Sequence, residues 1–131
     1  MLRIILVGKI KEKYASEALN EYSKRLKRYA NLDIVYLKNE DEIEKYTSGK
    51  LFVLDEKSKQ FDSIGFSKLL LDRNITFCIG PADGFSDNFL KNKTKISLSQ
   101  LTLMHQLALV VLLEQIYRGF TILNNEPYHR E

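Results

Sequence analysis

The chain has 131 residues, of which 44% are hydrophobic, and its formal net charge is +3 at pH 7. This length predicts one domain, residues 1–131, with one hydrophobic core, and excludes two domains. The single cysteine, Cys78, excludes an intramolecular disulfide, and its apolar neighbours predict a buried thiol. The N-terminal segment lacks the length and the cleavage site of a signal peptide, so we expect a cytoplasmic protein.

The first half of the chain alternates strand and helix patterns. The aliphatic run 2–7 ends at Gly8 and is typical of a buried parallel strand. Apolar residues in 14–29 fall on one stripe and predict an amphipathic helix. Two more strands are predicted at 32–37 and 51–54, separated by a polar segment, 39–48, that is at best a ragged helix.

The second half continues this alternation. Residues 63–71 predict a helix with Ile64, Leu69, Leu70 and Leu71 facing inward, and residues 75–79 predict a β-branched and aromatic strand. The whole pattern therefore predicts an α/β fold: an open, mainly parallel sheet with helices on both faces.

A glycine-bounded turn, Gly80 to Gly84, follows the predicted strand 75–79. Open α/β sheets bind ligands at such turns, where the carboxyl ends of central strands lie. A short helix opened by Ser86 or Asp87 comes next. The sequence thus predicts a ligand site at this edge of the sheet.

Residues 95–120 combine dense apolar character with few polar groups. A short strand pattern at 95–98 is followed by an irregular order of polar and apolar residues, which predicts a loop. The pattern becomes helical from Met104 onward. Residues 107–113 are apolar at seven consecutive positions, so this helix needs cover on every side. We expect it to be too short to span a bilayer and to be covered by the core and a second copy of the chain.

Polar groups of distinct chemistry occupy the end of the chain. Glu114 and Arg118 are four residues apart on one helix face, which suits either a structural ion pair or a site. Pro127 stops any helix, and we expect the following triplet, residues 128–130, to be exposed at the terminus. A tyrosine, a histidine and an arginine in succession suit base stacking, proton handling and phosphate contact.

Several common catalytic arrangements are missing from the sequence. It contains no phosphate-binding loop, no dinucleotide-binding glycine motif and no cysteine–histidine metal spacing, so we expect no metal. A nucleophilic triad built on His105 or His129 stays open, although no serine lies in a nucleophile elbow. For His105 we favour a role at a helix start or in the core. Lysine and arginine clusters at 9–13, 24–28 and 91–95 favour an anionic partner.

Motifs along the whole chain resemble the RlmH family, which consists of SPOUT-class methyltransferases. The matching motifs are Gly8-Lys9 with Lys11, Glu21-Tyr22 with Lys24-Arg25-Leu26, Ile79-Gly80 with Gly84, Ser97-Leu98-Ser99 with Leu101-Thr102-Leu103 and His105, Glu114, Tyr117-Arg118, and Pro127-Tyr128-His129-Arg130. The resemblance implies S-adenosylmethionine-dependent methylation of N3 of a pseudouridine in 23S ribosomal RNA, on the assembled ribosome. It also implies a C-terminal trefoil knot and a homodimer in which the partner's tail helps to close the site.

The resemblance also implies three sets of site residues. The catalytic set is Glu114, Arg118, Tyr128 and His129, and the RNA-binding set is Lys9, Lys11 and Arg130. The expected S-adenosylmethionine pocket consists of Leu54, Gly80, Pro81, Ser99, Gln100, Leu101, Thr102, Leu103 and Met104. The chain departs from the family at Pro81, Met104 and Leu109, where a glycine, a proline and an arginine are usual, and it is shorter between Asn39 and Leu51. Tyr128, His129 and Glu114 are all candidates to accept the N3 proton.

Two other classes of function stay open. A non-catalytic ribosome- or RNA-binding α/β module would account for the lysine clusters and would not bind S-adenosylmethionine. A flavodoxin-like nucleotide or signalling domain would bind a phosphate-bearing ligand at 80–84 and stay monomeric. The all-apolar run 107–113 argues against a monomer.

Overall fold

The computed structural model describes residues 1–130 and contains a five-stranded parallel sheet between two layers of helices. The strands are β1 (Leu2–Val7), β2 (Leu32–Leu37), β3 (Lys50–Leu54), β4 (Ile75–Ile79) and β5 (Lys95–Ile96), in the order β2-β1-β4-β3-β5. The helices are α1 (Lys13–Leu26), α2 (Ile43–Tyr46), α3 (Ser63–Leu69), α4 (Asp87–Leu90) and α5 (His105–Leu123). Every neighbouring pair of strands is parallel, which confirms the predicted α/β sheet.

Side chains on the two faces of the sheet form two separate cores. On one face, Ile4 and Phe77 pack against α1, α3 and α5, whose buried residues include Leu112. On the other face, Ile5 and Cys78 pack beneath the short helices α2 and α4. Because successive strand residues point to opposite faces, strands covered on both faces are apolar at nearly every position. This explains the continuous aliphatic run of β1 and confirms that the cysteine is buried.

The inward face predicted for the helix at 63–71 is partly wrong. The helix ends at Leu69, and Leu70 is buried, but Ile64 is exposed and Leu71 is 67% exposed. Phe66 and Ser67 supply most of the buried surface instead. Three consecutive leucines carry no helical period, so the pattern could not show that the last two of them follow the helix.

Helix α5 has 19 residues, and by length and composition it is long enough to cross a membrane, so the expectation that it is too short was wrong. It packs instead against α1 and α3 in the larger core. Gly119 allows this contact, because a Cβ there would lie 2.6 Å from a methyl carbon of Leu70. Within the run 107–113, Leu109, Leu112 and Leu113 are buried while Leu107 is 40% exposed, so one side of α5 lacks full cover within the chain.

Candidate functional site

A cleft of about 490 Å³ opens at the carboxyl ends of β3 and β4, beside the loop that follows β5. Seven of the nine residues expected to form the cofactor pocket line it, namely Leu54, Gly80, Pro81, Ser99, Leu101, Thr102 and Leu103. Gln100 and Met104 are not among the lining residues. Met104 precedes α5 as its N-cap residue, and its sulfur accepts a hydrogen bond of 3.2 Å from the Tyr14 hydroxyl. The structure therefore brings most of the predicted pocket together.

The glycine-bounded turn forms one wall of the cleft. The Gly84 N–H donates to the Pro81 carbonyl oxygen at 2.8 Å, and Gly84 adopts a φ of +80°, which favours glycine. A Cβ on Gly80 would lie 2.9 Å from the ring of Phe85. Gly80 is therefore required by the packing of its own turn, whatever binds beside it. Pro81 has no N–H to offer a ligand and contributes its carbonyl to the turn.

The loop after β5 forms the opposite wall, and its conformation is fixed from within. The buried Ser97 hydroxyl lies 2.9 Å from the Ser99 carbonyl oxygen and 3.2 Å from that of Glu56. The Leu101 N–H donates to the Ser99 hydroxyl at 2.9 Å. This loop holds Leu101 with 74% of its surface exposed at the cleft, where an apolar side chain gains from being covered.

Gln106 is a structurally important residue that the sequence analysis missed. It is buried, and its Oε1 accepts hydrogen bonds from the backbone N–H groups of Lys11 at 2.8 Å and Glu12 at 2.7 Å. Glu12 is the N-cap residue of α1 and makes no capping bond with its own side chain. An amide on α5 therefore holds the start of α1. The sequence feature that could have indicated this role is a single amide side chain near the beginning of an otherwise apolar helix.

This contact also places the predicted RNA-binding lysines beside the cleft. Lys9 and Lys11 are exposed on the segment between β1 and α1. His105, the first residue of α5, lines the cleft and faces Gly8, where a Cβ would lie 3.7 Å from the His105 Nε2. The segment that carries both lysines is therefore packed against the beginning of α5.

The four predicted catalytic residues form one group, called the tail cluster here: Glu114, Arg118, Tyr128 and His129. Arg118 forms a bidentate ion pair with Glu114, with Nη2–Oε2 at 2.8 Å and Nε–Oε1 at 3.2 Å. The Tyr128 hydroxyl donates to Glu114 Oε2 at 2.9 Å, and Arg118 Nη1 lies 3.1 Å from His129 Nδ1. The structural ion pair expected for Glu114 and Arg118 is therefore present on the helix face, and it also holds the tail, while their role in a site stays a prediction.

Aromatic rings and guanidinium groups surround the tail cluster. The guanidinium of Arg118 lies 4.8 Å from the centre of the Tyr128 ring, and Tyr117 meets that ring edge-on at 4.9 Å. Arg25 lies over the rings of Tyr22 and Tyr117, at 5.5 and 5.7 Å. Burial, followed by the hydrogen bond to Glu114, raises the pKa of Tyr128 to about 12, so its phenol is neutral at physiological pH.

A second contact fixes the direction of the tail after α5. The Glu126 carboxylate accepts from the Tyr29 hydroxyl at 2.7 Å and pairs with Arg28 at 3.3 Å. The tail consequently folds back onto α5, with His129 half-buried and Tyr128 37% exposed. The expectation that the terminal triplet is exposed therefore holds for Tyr128 and Arg130 and is wrong for His129. The anchoring residues are nearly one hundred positions apart, so no local pattern predicts the contact.

Within one chain the tail cluster and the cleft lie apart. Ala108 lines the cleft, whereas Glu114 and Arg118 follow six and ten residues later on the same helix. At 1.5 Å per residue, these separations are about 9 and 15 Å along the helix axis. The structure therefore joins the predicted catalytic residues to one another, and the predicted pocket residues to one another, as two groups.

Residues 1–130 also form a second hollow, and they contain no cluster of metal-binding side chains. A larger hollow of about 950 Å³ lies at the amino ends of the strands and contains none of the predicted site residues. By size alone, this hollow would be the better candidate for a ligand site. Parallel sheets, however, bind their ligands at the carboxyl ends of the strands, where the smaller cleft lies. Among the described residues, no group of three or more His, Cys, Asp or Glu side chains is placed to hold a metal ion.

Comparison with known proteins gives a consistent match over the whole chain. A family model described as "Predicted SPOUT methyltransferase" matches residues 1–129. The "Ribosomal RNA large subunit methyltransferase H" of Mesoplasma florum is 36% identical, covering 98% of this chain and 99% of the relative. The protein of the same name from Pelobacter propionicus is 38% identical, covering 98% of each. These alignments extend over 153 and 149 positions, so both relatives contain segments that this 131-residue chain lacks.

Solved structures support the same fold. A probable methylase family protein from Haemophilus influenzae superposes with a TM-score of 0.68 at 9% identity, over 99% of this chain and 70% of that one. A Legionella pneumophila protein, solved in complex with the bound cofactor SAM, superposes with a TM-score of 0.52 at 16% identity, over 88% of this chain and 65% of that one. At these identities, the likeness is one of fold.

Proposed function

Because the chain belongs to the RlmH family of SPOUT methyltransferases, we propose that it methylates N3 of a pseudouridine in 23S ribosomal RNA, using S-adenosylmethionine. The observation that carries this proposal is the cleft at the carboxyl ends of β3 and β4, lined by seven of the nine residues expected for the cofactor. Residues 1–131 would act as one SPOUT domain, with a trefoil knot in the C-terminal part, on assembled ribosomes in the cytoplasm.

The residues of the cleft suit S-adenosylmethionine, which supplies an electrophilic methyl group on a positively charged sulfonium. Leu101 and Leu103 provide apolar walls that exclude water, and a dry site favours a reaction in which that positive charge disappears. The exposed Leu101 side chain is the part of the cleft that gains most from being covered. Backbone groups of the turn and the loop remain to bind the adenine and ribose, except at Pro81, which has no N–H.

A homodimer would bring the two groups of site residues together. Leu101, Met104 and Leu107 are exposed apolar residues on the cleft loop and the beginning of α5, and they suit contact with a second chain. The tail cluster lies about 9–15 Å along α5 from the cleft of its own chain. We therefore assign the tail cluster of one protomer to the cleft of its partner, where it would meet the target base.

Within this arrangement the charged residues have separate roles. Arg118 commits three N–H groups to Glu114 and His129, and its remaining two suit a phosphate or a developing negative charge. Lys9 and Lys11 beside the cleft, and Arg130 at the end of the tail, are exposed and suit the RNA backbone. The enzyme's main contribution would be to hold the base and the methyl donor in line.

The proposal is tested by calorimetry with S-adenosylmethionine, without metal, and by methyl transfer to ribosomes from a strain lacking this protein. Leu103→Asp should abolish cofactor binding while the fold remains. The matched control is Leu71→Asp, since that leucine is exposed and is not among the cleft-lining residues. Mass spectrometry of the ribosomal RNA identifies the methylated nucleotide. Binding of RNA without any heat from S-adenosylmethionine would instead support a non-catalytic RNA-binding module.

A further inference from the structure

All the acceptor sites of the Glu114 carboxylate are occupied. Oε1 accepts from Gln115 Nε2 at 2.8 Å and from Arg118 Nε at 3.2 Å, while Oε2 accepts from Arg118 Nη2 at 2.8 Å and from the Tyr128 hydroxyl at 2.9 Å. The Ser63 hydroxyl donates to Gln115 Oε1 at 2.7 Å, which keeps the Gln115 amide nitrogen directed at Glu114. A carboxylate offers about four lone-pair sites. Glu114 is therefore saturated with donors and is a poor acceptor for a proton released in the reaction.

This saturation determines the hydrogen-bond polarity of Tyr128. Its single hydroxyl proton is directed to Glu114, so its oxygen can act only as an acceptor toward anything else that approaches. The ring is held by Arg118 above it and by Tyr117 at its edge. Because 37% of Tyr128 is exposed, a ligand can approach this side chain.

The contact with Arg118 fixes the tautomer of His129. A guanidinium has no acceptor, so in the contact between Arg118 Nη1 and His129 Nδ1 the arginine must donate. Nδ1 therefore carries no proton, and it cannot accept one while this bond remains. Of the three candidates for contact with the N3–H group, only Tyr128 combines an acceptor lone pair with an exposed side chain.

We propose that Tyr128 is a specificity-determining residue whose oxygen accepts a hydrogen bond from the imide N–H of the target base, and that Glu114 is the positioning residue that fixes this polarity. The inference rests on the proposed function and explains how the enzyme would select its target nucleobase. Uracil-type bases carry a hydrogen on N3, whereas cytosine has a lone pair there. A fixed acceptor pairs with the first and repels the second.

A double-mutant cycle tests the coupling between the two residues. Tyr128→Phe removes the acceptor, and Glu114→Gln places an amide N–H against the phenol, which turns the phenolic proton outward. Each change should reduce methyl transfer to ribosomes by about 10- to 100-fold, the range for one base-recognition contact. The double variant should be no slower than Tyr128→Phe alone, because Glu114 acts through Tyr128. Multiplying losses, or an unaffected Tyr128→Phe, would overturn the inference.

Two further measurements separate this inference from the proposed function. On ribosomes with cytidine at the target position, the wild-type preference for the uracil-type base should exceed that of Glu114→Gln, and an equal preference contradicts the proposal. Ultraviolet titration of the phenols, with Tyr128→Phe subtracted, should show that Glu114→Gln lowers the pKa of Tyr128 from about 12. An unchanged titration would also overturn the inference. Wild-type protein that transfers no methyl group would refute the proposed function, while the titration still decides the Tyr128–Glu114 bond.

Discussion

Replacement of Gln106 by leucine should weaken the junction between α1 and α5. Leucine has a similar volume and suits the buried, apolar surroundings, but it cannot accept the two backbone hydrogen bonds from Lys11 and Glu12. Those N–H groups belong to the beginning of α1, and the structure shows no capping bond from the Glu12 side chain to replace them. The main expected loss is therefore the satisfaction of two partly buried donors.

The magnitude follows from the cost of leaving such donors unpaired. One unsatisfied buried donor costs about 1–3 kcal/mol, and two partly buried ones should together cost about 2–4 kcal/mol. For a domain of this size, 1 kcal/mol corresponds to a shift of about 4 °C, so the melting temperature should fall by about 8–16 °C. Denaturant titration measures the free energy directly. Methyl transfer should fall as well, because Lys9 and Lys11 lose their fixed position, while S-adenosylmethionine binding should persist.

The matched control is Gln106→Glu, which keeps an acceptor oxygen facing the same two N–H groups. This variant should retain much more stability than Gln106→Leu, since a carboxylate near the beginning of α1 is also favoured by the helix dipole. Equal losses in both variants would show that side-chain packing, and not the two hydrogen bonds, determines the cost. An unchanged melting temperature in Gln106→Leu would refute the reasoning altogether.

Helix α5 and the tail give three further predictions. Gly119→Ala should destabilise the fold by about 1–3 kcal/mol in denaturant titration, because the added Cβ would lie 2.6 Å from a methyl carbon of Leu70. Light scattering should give a dimer of the 15.3 kDa chain, and Leu107→Lys, on the exposed side of α5, should shift it toward monomer; a wild-type monomer contradicts the dimer. The free energy of unfolding should fall as pH rises from about 10 to about 12, because the fold raises the pKa of Tyr29 and Tyr128 to about 12 from 10.0 and so favours their neutral forms. Tyr128→Phe should reduce this dependence.

β1 and β4 were predictable because their residues are covered on both faces, whereas the edge strand β2, which is mostly half-buried, was predictable from its alternating pattern. β1, β2 and β4 have the predicted bounds, and each apolar run ends at a glycine or a charged residue. The polar segment 39–48 was also predicted correctly as ragged, since it contains only a short 3₁₀ turn, Glu40–Glu42, and the four residues of α2. These elements depend on the residues within each segment, so they can be predicted from a single sequence.

Contacts between distant parts of the chain were not predictable in the same way. Gln106 holds residues that precede it by more than ninety positions, and Glu126 holds Arg28 and Tyr29 across a similar separation. Gln106 and Glu126 themselves belong to no periodic pattern. The resemblance to the RlmH family nominated the members of the cleft and of the tail cluster, but it gave no reason for Gln106, whose role is to position other residues.

The directions of the hydrogen bonds distinguish the candidate acceptors in the tail, which residue identity alone could not do. From the sequence, Glu114, Tyr128 and His129 were equivalent candidates to accept a proton from the target base. In the structure, Arg118 can only donate, which leaves both Glu114 and the Nδ1 atom of His129 as engaged acceptors. Tyr128 then donates inward to Glu114 and presents an acceptor outward. One half-buried ion pair therefore assigns a different polarity to each polar group of the tail, which is why a conservative change at Glu114 should alter base selection before it alters the fold.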